Sequence, residues 1–196
     1  MKLILASASP RRAEILRNAA IPFETQITLL DESILPGELP GDYVRRLALE
    51  KTRAAAEART DRGDDLFIGA DTAVVAANDI LGKPESDEDA RRMLRLLSGT
   101  THEVHTGLAI LRPSDKIERV VKEITRVSFA PLSDDEIDVY IATGEPFDKA
   151  GGYGIQGVAG RYITRVEGCY FNVMGLPLAR LWSLLREAGW EDSAAE

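Results

Sequence analysis

Cysteine is scarce in this sequence. Cys169 is the only one among 196 residues, so no intramolecular disulfide can form and a reducing compartment is expected. Thiolate zinc sites need several cysteines and are excluded with it. Long apolar runs are missing too. No stretch approaches the roughly 18 apolar residues of a membrane span. The run Leu3-Ile4-Leu5-Ala6 is too short for a secretory signal before the basic pair Arg11-Arg12 arrives. Positive charge is in deficit: 24 Lys and Arg stand against 32 Asp and Glu, a net charge of -8. A general binder of nucleic acid or of anionic membrane would show the opposite balance, although a small anion can still find a locally basic pocket. There is no internal repeat and no linker long enough to separate domains. The expectation is a soluble, cytoplasmic protein that contacts neither membrane nor nucleic acid. Its 44% hydrophobic and 29% charged residues are ordinary for a globular chain, and its length suits one domain or one domain with two lobes.

Hydrophobic periodicity and turn chemistry divide the chain. Residues 2–6 read as a short buried strand. A polar loop follows, then a helix from Pro10 to about Asn18, with Ser9 as N-cap and Pro10 at the first helical position. A second strand is expected at 23–29, and a loop rich in Pro, Gly and acids from Asp31 to Pro40. The helix from Asp42 to about Thr60 presents Val44, Leu47, Ala48, Ala55 and Ala58 on its apolar face. Strand follows at 66–70 and 73–76, interrupted at Asp71-Thr72, with a turn at Asn78-Asp79. Ser86-Asp87-Glu88-Asp89 opens a helix that ends before Gly99, and Ser133-Asp134-Asp135-Glu136 is a capping box whose helix Gly144 closes. Long strands are expected at 102–112 and 117–130 around a turn at Pro113-Ser114-Asp115. A Gly-rich loop spans 145–160, strands follow at 161–166 and 169–174, and a last helix runs from Pro177 to about Ala188 before a frayed tail. Interleaved helices and strands, with hairpins breaking strict βαβ alternation, point to an α/β or α+β protein with a mixed sheet.

Several residues sit where elementary electrostatics asks for a partner. Arg11 and Arg12 fall in the first turn of a helix, beside free N–H groups and the positive end of the dipole. A phosphate would accept the amides, the hydroxyls of Ser7 and Ser9 and the guanidinium forks together; the plainer alternative is two solvated arginines. Lys51 lies on the apolar stripe of the long helix and either reaches a buried carboxylate, reaches a ligand phosphate or snorkels at the seam's edge. Asp71 interrupts an apolar strand, which is costly unless the acid is paired or metal-bound, though a turn would also explain it. Glu32 in the acidic loop is a possible second carboxylate, and two carboxylates suit Mg²⁺ or Mn²⁺; spacing does not tell whether the two acids meet. Gly82-Lys83-Pro84 lacks the residues of a Walker loop and leaves Lys83 as a phosphate contact on a rigid turn. Gly152, Gly154 and Gly157 satisfy G-x-G-x-x-G without the strand before and helix after that a dinucleotide site requires. They read instead as backbone passing close to a ligand, or as a plain surface loop, with Gln156 able to pair a base edge. His102 and His105 face opposite sides of a strand and are no zinc pair, and Cys169 is a packed or interface thiol with no nucleophilic setting.

Together these segments resemble the Maf family of nucleoside triphosphate pyrophosphatases. The matching pieces are Leu5-Ala6-Ser7-Ala8-Ser9-Pro10-Arg11-Arg12, Asp31-Glu32, Leu47-Ala48-Leu49-Glu50-Lys51, Gly69-Ala70-Asp71-Thr72, Gly82-Lys83-Pro84, the stretch from Asp148 to Gly157, and Gly175-Leu176-Pro177. The resemblance implies a two-lobed mixed twisted β-sheet flanked by helices, akin to inosine triphosphate pyrophosphatases, with a cleft between the lobes. It implies one domain over residues 1–190 with an acidic tail at 191–196, and a homodimer. The implied reaction is Mg²⁺- or Mn²⁺-dependent hydrolysis of a nucleoside triphosphate to monophosphate and pyrophosphate. In the implied assignment Asp71 is catalytic, Glu32 and Asp71 hold metal, and Ser7, Arg11, Arg12, Lys51 and Lys83 bind phosphate. Arg11, Thr72 and Gln156 occupy the positions that separate subfamilies and resemble the branch acting on dTTP and UTP; the branch acting on 7-methyl-GTP has Gln in place of Thr72 and Glu in place of Gln156. Two alternatives accompany this reading: the same chemistry on modified or non-standard nucleotides, and a non-catalytic nucleotide-binding regulator of septum formation.

Overall fold

The computed structural model describes residues 1–60 and 63–191; the end of the acidic tail, residues 192–196, lies outside them. In chain order the elements are β1 (Leu3–Leu5), α1 (Pro10–Asn18), β2 (Glu24–Thr25), α2 (Pro40–Ala58), β3 (Leu66–Ala76), β4 (Asp79–Leu81), α3 (Asp87–Leu97), β5 (Thr101–Arg112), β6 (Ile117–Phe129), α4 (Asp134–Ile141), β7 (Ile163–Glu167), α5 (Tyr170–Val173) and α6 (Leu178–Glu187). Among the described residues seven strands form one sheet in the order β2-β1-β3-β5-β6-β7, with β4 on β3. The sheet is mixed: β1 pairs parallel to β2 and β3, whereas β4 on β3 and β7 on β6 are antiparallel. The α/β class with helices flanking a mixed sheet is thus the one expected.

The chain divides into two compact units. The first comprises Met1–Asp71, Thr106–Glu123 and Gly175–Glu196, the second Thr72–His105 and Ile124–Met174. In the first, β1 is buried along its whole length, and Ile4, Ala6 and Phe67 meet Ala55 and Ala56 of α2 in a small core. The buried face of α2 is Val44, Leu47, Ala48, Thr52, Ala55 and Ala56. That is the i, i+3, i+4 series; Ala58, expected on it, is the last residue of the helix and is exposed. Gly69 of β3 and Gly107 of β5 let α2 approach closely, because a Cβ at Gly107 would overlap the Val44 carbonyl and one at Gly69 would stand 2.6 Å from the Ala48 carbonyl oxygen.

In the core of the second unit Met93, Leu94 and Leu97 of α3 pack with Ile137, Tyr140 and Ile141 of α4, Phe129, Tyr153 and Tyr162. The Ser86 hydroxyl accepts the Asp89 N–H to cap α3, and Ser133 and Glu136 form the expected capping box on α4.

Other expectations differ too, beginning with the second strand, which is Glu24–Thr25 alone rather than 23–29. The strand of 66–76 is continuous through Asp71-Thr72, because the Asp71 charge finds a cation and the ladder has no need to break. The turn after it centres on Ala77-Asn78, both at positive φ (50° and 69°), and pairs Ala76 with Asp79. This two-residue turn folds β4 back as a hairpin. Residues 170–173 are a helical turn rather than part of a strand. The Thr125 hydroxyl donates to the Cys169 carbonyl and accepts the Cys169 N–H, and the buried Asn172 amide donates to Val104 O and Thr125 Oγ1. Side-chain hydrogen bonds therefore supply what a ladder would have supplied.

Candidate active site

Asp71, at the middle of β3 and the last residue of that strand in the first unit, is buried. One turn along α2 from the buried Ala48, Lys51 extends its amine to Asp71 Oδ1 at 2.6 Å and to Glu32 Oε1 at 2.7 Å. The lysine thus reaches a buried carboxylate, one of the partners expected for it, and the two acids meet on one ammonium. Burial raises the Asp71 carboxyl above the ordinary carboxylate range, against the pull of Lys51 and Arg12, with Glu32 adding to the rise. A carboxylate so placed is a better proton acceptor at neutral pH than a solvated one.

At α1 the Ser7 hydroxyl accepts the Ser9 N–H at 3.1 Å and an Arg12 Nη1 proton at 3.1 Å, while Arg12 Nε donates to Gly175 O at 2.7 Å. Arg12 is thus buried and anchored inward; burial lowers its pKa, Arg11 adds to this, and Asp71 and Glu32 oppose it. Ser9 occupies the N-cap position but makes no side-chain capping bond, and no acid stands in the first turn. α3 and α4 are capped by serines and carry three acids each there. The N-terminus of α1 therefore keeps its positive end while holding two arginines, an arrangement an anion would favour.

In the second unit Lys83 and Gln156 are exposed and Thr72 is half-buried. Gly151 N–H donates to Gly82 O at 2.9 Å, so the turn bearing Lys83 is fastened to the Gly-rich segment. The glycines of that segment have a reason within the chain itself. A Cβ at Gly151 would press on Val74 at 2.9 Å, one at Gly152 on Pro84 at 3.1 Å, one at Gly154 on Lys149 at 2.6 Å, and one at Gly157 would overlap the Glu145 carboxylate. The backbone passes close to its own chain. Alternation along β3 gives Thr72 the face of Val74. His102 and His105 are both buried and have separate partners, Tyr153 OH and Glu103 Oε2, each at 2.7 Å. Burial lowers His102 to about 4, so it is neutral, and no group of three or more metal-ligating side chains occurs among the described residues.

Sequence reasoning missed the residues that hold Glu32. Tyr43 OH donates to the Glu32 carbonyl at 3.1 Å, and its own pKa is pushed up to about 12 by burial, then by Asp71 and Glu32. Arg46 grips Glu38 through Nε (2.6 Å) and Nη2 (2.8 Å) and donates to Ser33 O at 3.0 Å. Both project from α2 onto the loop, and nothing in their spacing announces it, since the partners belong to an irregular segment without periodicity.

The family described as Maf-like protein matches residues 2–188. This chain belongs to the Maf family. A dTTP/UTP pyrophosphatase of Koribacter versatilis is 51% identical over 189 residues, 96% of this chain and 95% of that one. One of Hahella chejuensis is 48% identical over 194 residues, covering 97% and 96%. The structure of the Staphylococcus aureus Ham1 protein aligns over 95% of this Maf chain and 99% of its own, with a TM-score of 0.54 at 15% identity; it shares the fold.

Proposed function

We propose that this Maf protein hydrolyses nucleoside triphosphates, dTTP and UTP ahead of purine nucleotides, to the monophosphate and pyrophosphate. The observation that carries the reading is Glu32 and Asp71 closing on one ammonium, in a chain whose near-full-length relatives are named for that activity. Asp71 accepts the proton of a water that attacks the α-phosphorus, the bond from that phosphorus to the bridging oxygen breaks, and pyrophosphate leaves. Arg11, Arg12, Lys51 and Lys83, with Ser7, bind the phosphates and neutralise the leaving charge, and positioned charge is the main source of rate in such transfers. The oxygen donors Glu32 and Asp71 suit Mg²⁺ or Mn²⁺, which is commonly held by one or two carboxylates together with substrate phosphates. Such an ion, when bound, supplies charge stabilisation at the phosphate oxygens. Thr72, Gln156 and Arg11 carry base preference, with the Gln156 amide offering a pyrimidine both a donor and an acceptor.

The reading extends to one catalytic domain over residues 1–190, working in the cytoplasm as a homodimer and needing neither membrane nor nucleic acid. Support for self-association comes from Ile27, Leu29, Ile34, Leu35 and Leu39, all exposed and close together in the sequence, because apolar surface that gathers into one patch is a mark of interfaces. Light scattering is expected to give twice the chain mass; a monomer at micromolar concentration contradicts this part. Product analysis on a panel of triphosphates with Mg²⁺ or Mn²⁺ is expected to rank dTTP and UTP first. A modified purine at the head of that ranking would leave the chemistry standing and remove the role of Gln156.

A further inference from the structure

Gln156 sits in an exposed turn, and an exposed amide selects a base only if the turn beneath it is rigid. The segment before it begins with Glu145, immediately after Gly144 ends the turn that follows α4. The Glu145 carboxylate is held from two sides: Tyr140 OH, from the buried face of α4, donates to Oε1 at 3.0 Å, and the Val158 N–H donates to Oε2 at 2.8 Å. The space it fills is the space a side chain at position 157 would need. Four residues on, Lys149 donates from Nζ to the Glu145 carbonyl at 2.8 Å, and its stem fills the space beside Gly154. Glycines 154 and 157 therefore bracket Gln156 because two side chains of the preceding segment lie under the turn. A plain surface loop would have no need of a carboxylate pinned at both oxygens.

We infer that Glu145 is a positioning residue for base discrimination: its carboxylate ties α4 to the turn that presents Gln156, without touching the substrate itself. The inference rests on the reading that Gln156 meets the base. Each oxygen of Glu145 accepts from a different donor. In Glu145→Gln the charge shared by both hydrogen bonds is lost and one oxygen becomes an NH₂ group, which the Val158 N–H cannot meet and Tyr140 OH can meet only as an acceptor, so the tie is weakened. Gly157→Ala reaches the same contact from the other side. Position 157 is exposed and its backbone (φ -96°, ψ -158°) is open to alanine, so the fold tolerates the methyl while the carboxylate must move.

The experiment compares kcat/KM for dTTP with that for dGTP in the wild type, Glu145→Gln, Gly157→Ala, Gln156→Ala and the double variant Glu145→Gln/Gln156→Ala. Glu145→Gln and Gly157→Ala are each expected to lower the dTTP/dGTP ratio roughly tenfold, a modest share of what a hydrogen-bonding pocket can achieve. In the Gln156→Ala background Glu145→Gln is expected to change the ratio no further. A merely structural role would lower both substrates alike and leave the ratio where it was. If Gln156→Ala lowers the ratio but Glu145→Gln and Gly157→Ala do not, or if Glu145→Gln keeps its full effect without Gln156, the role of Glu145 is overturned and base reading by Gln156 survives. If Gln156→Ala itself leaves the ratio unchanged, base reading fails and the positioning role falls with it.

Discussion

Asp71→Asn is expected to lower kcat by about 10³-fold or more, within or above the roughly 10²–10⁴-fold that general-base removal costs, while the protein remains folded. Two lines separate function from stability here. The amide keeps the size of the side chain, and Lys51 retains Glu32 at 2.7 Å, so no buried ammonium is abandoned. The charge of Asp71 is itself a burden on the fold, because burial raises its carboxyl above the ordinary range. For an acid raised in this way, the stabilising contribution is full below the unfolded-state pKa and is lost as pH rises through the folded-state value. The variant should therefore match or exceed wild-type stability, by a margin that widens from acid towards neutral pH. Wild-type activity falls on the acid side as Asp71 takes up a proton. Thermal melts at two pH values alongside steady-state kinetics check both parts; near-wild-type kcat in a folded Asp71→Asn variant would remove the base from the mechanism.

Lys51→Met has the opposite signature, a loss of activity together with stability. The substitution keeps the stem of the lysine against α2 and deletes the one ammonium between Glu32 and Asp71. Breaking a buried ion pair from one side costs roughly 3–5 kcal/mol. Glu32 is exposed and Asp71 can neutralise itself by binding a proton, so about 2 kcal/mol is expected at neutral pH. Without the lysine the Asp71 carboxyl rises further. The stability loss is then small in acid, where Asp71 is protonated, and grows as pH rises, and the acid limb of the pH–rate profile moves to higher pH. Turnover falls by about 10²-fold or more because a phosphate-binding charge and the ionisation of the base are lost together. A stability loss independent of pH would mean that Lys51 acts by packing alone.

Much of this was legible in the residues. The helices with serine caps and acidic first turns, α3 and α4, were set out by their own signals, and so was the interior placement of Lys51 and Asp71, since a charge inside an apolar stripe or strand has few places to go. The meeting of Glu32 with Asp71 was not, because 39 positions of chain, including an irregular loop, separate them and spacing carries no distance at that range. Tyr43 and Arg46 were invisible for the same reason. The strand over 66–76 was misjudged at Asp71 because local pattern sees the acid and not the lysine that satisfies it. The helical turn at 170–173 was misjudged because its apolar residues lack a period and its fold is decided by Thr125 and Asn172. The glycines at 154 and 157 stand out in the sequence, but the side chains of Glu145 and Lys149 that occupy the space beside them do not.

The central claim is that water attacks the α-phosphorus with Asp71 as the acceptor of its proton. It is tested most directly by one turnover reaction on dTTP in water enriched in oxygen-18, with products resolved by mass. The account predicts labelled thymidine monophosphate and unlabelled pyrophosphate, formed at least about 10³-fold more slowly by Asp71→Asn. Label in the pyrophosphate, or diphosphate and inorganic phosphate as products, would contradict it.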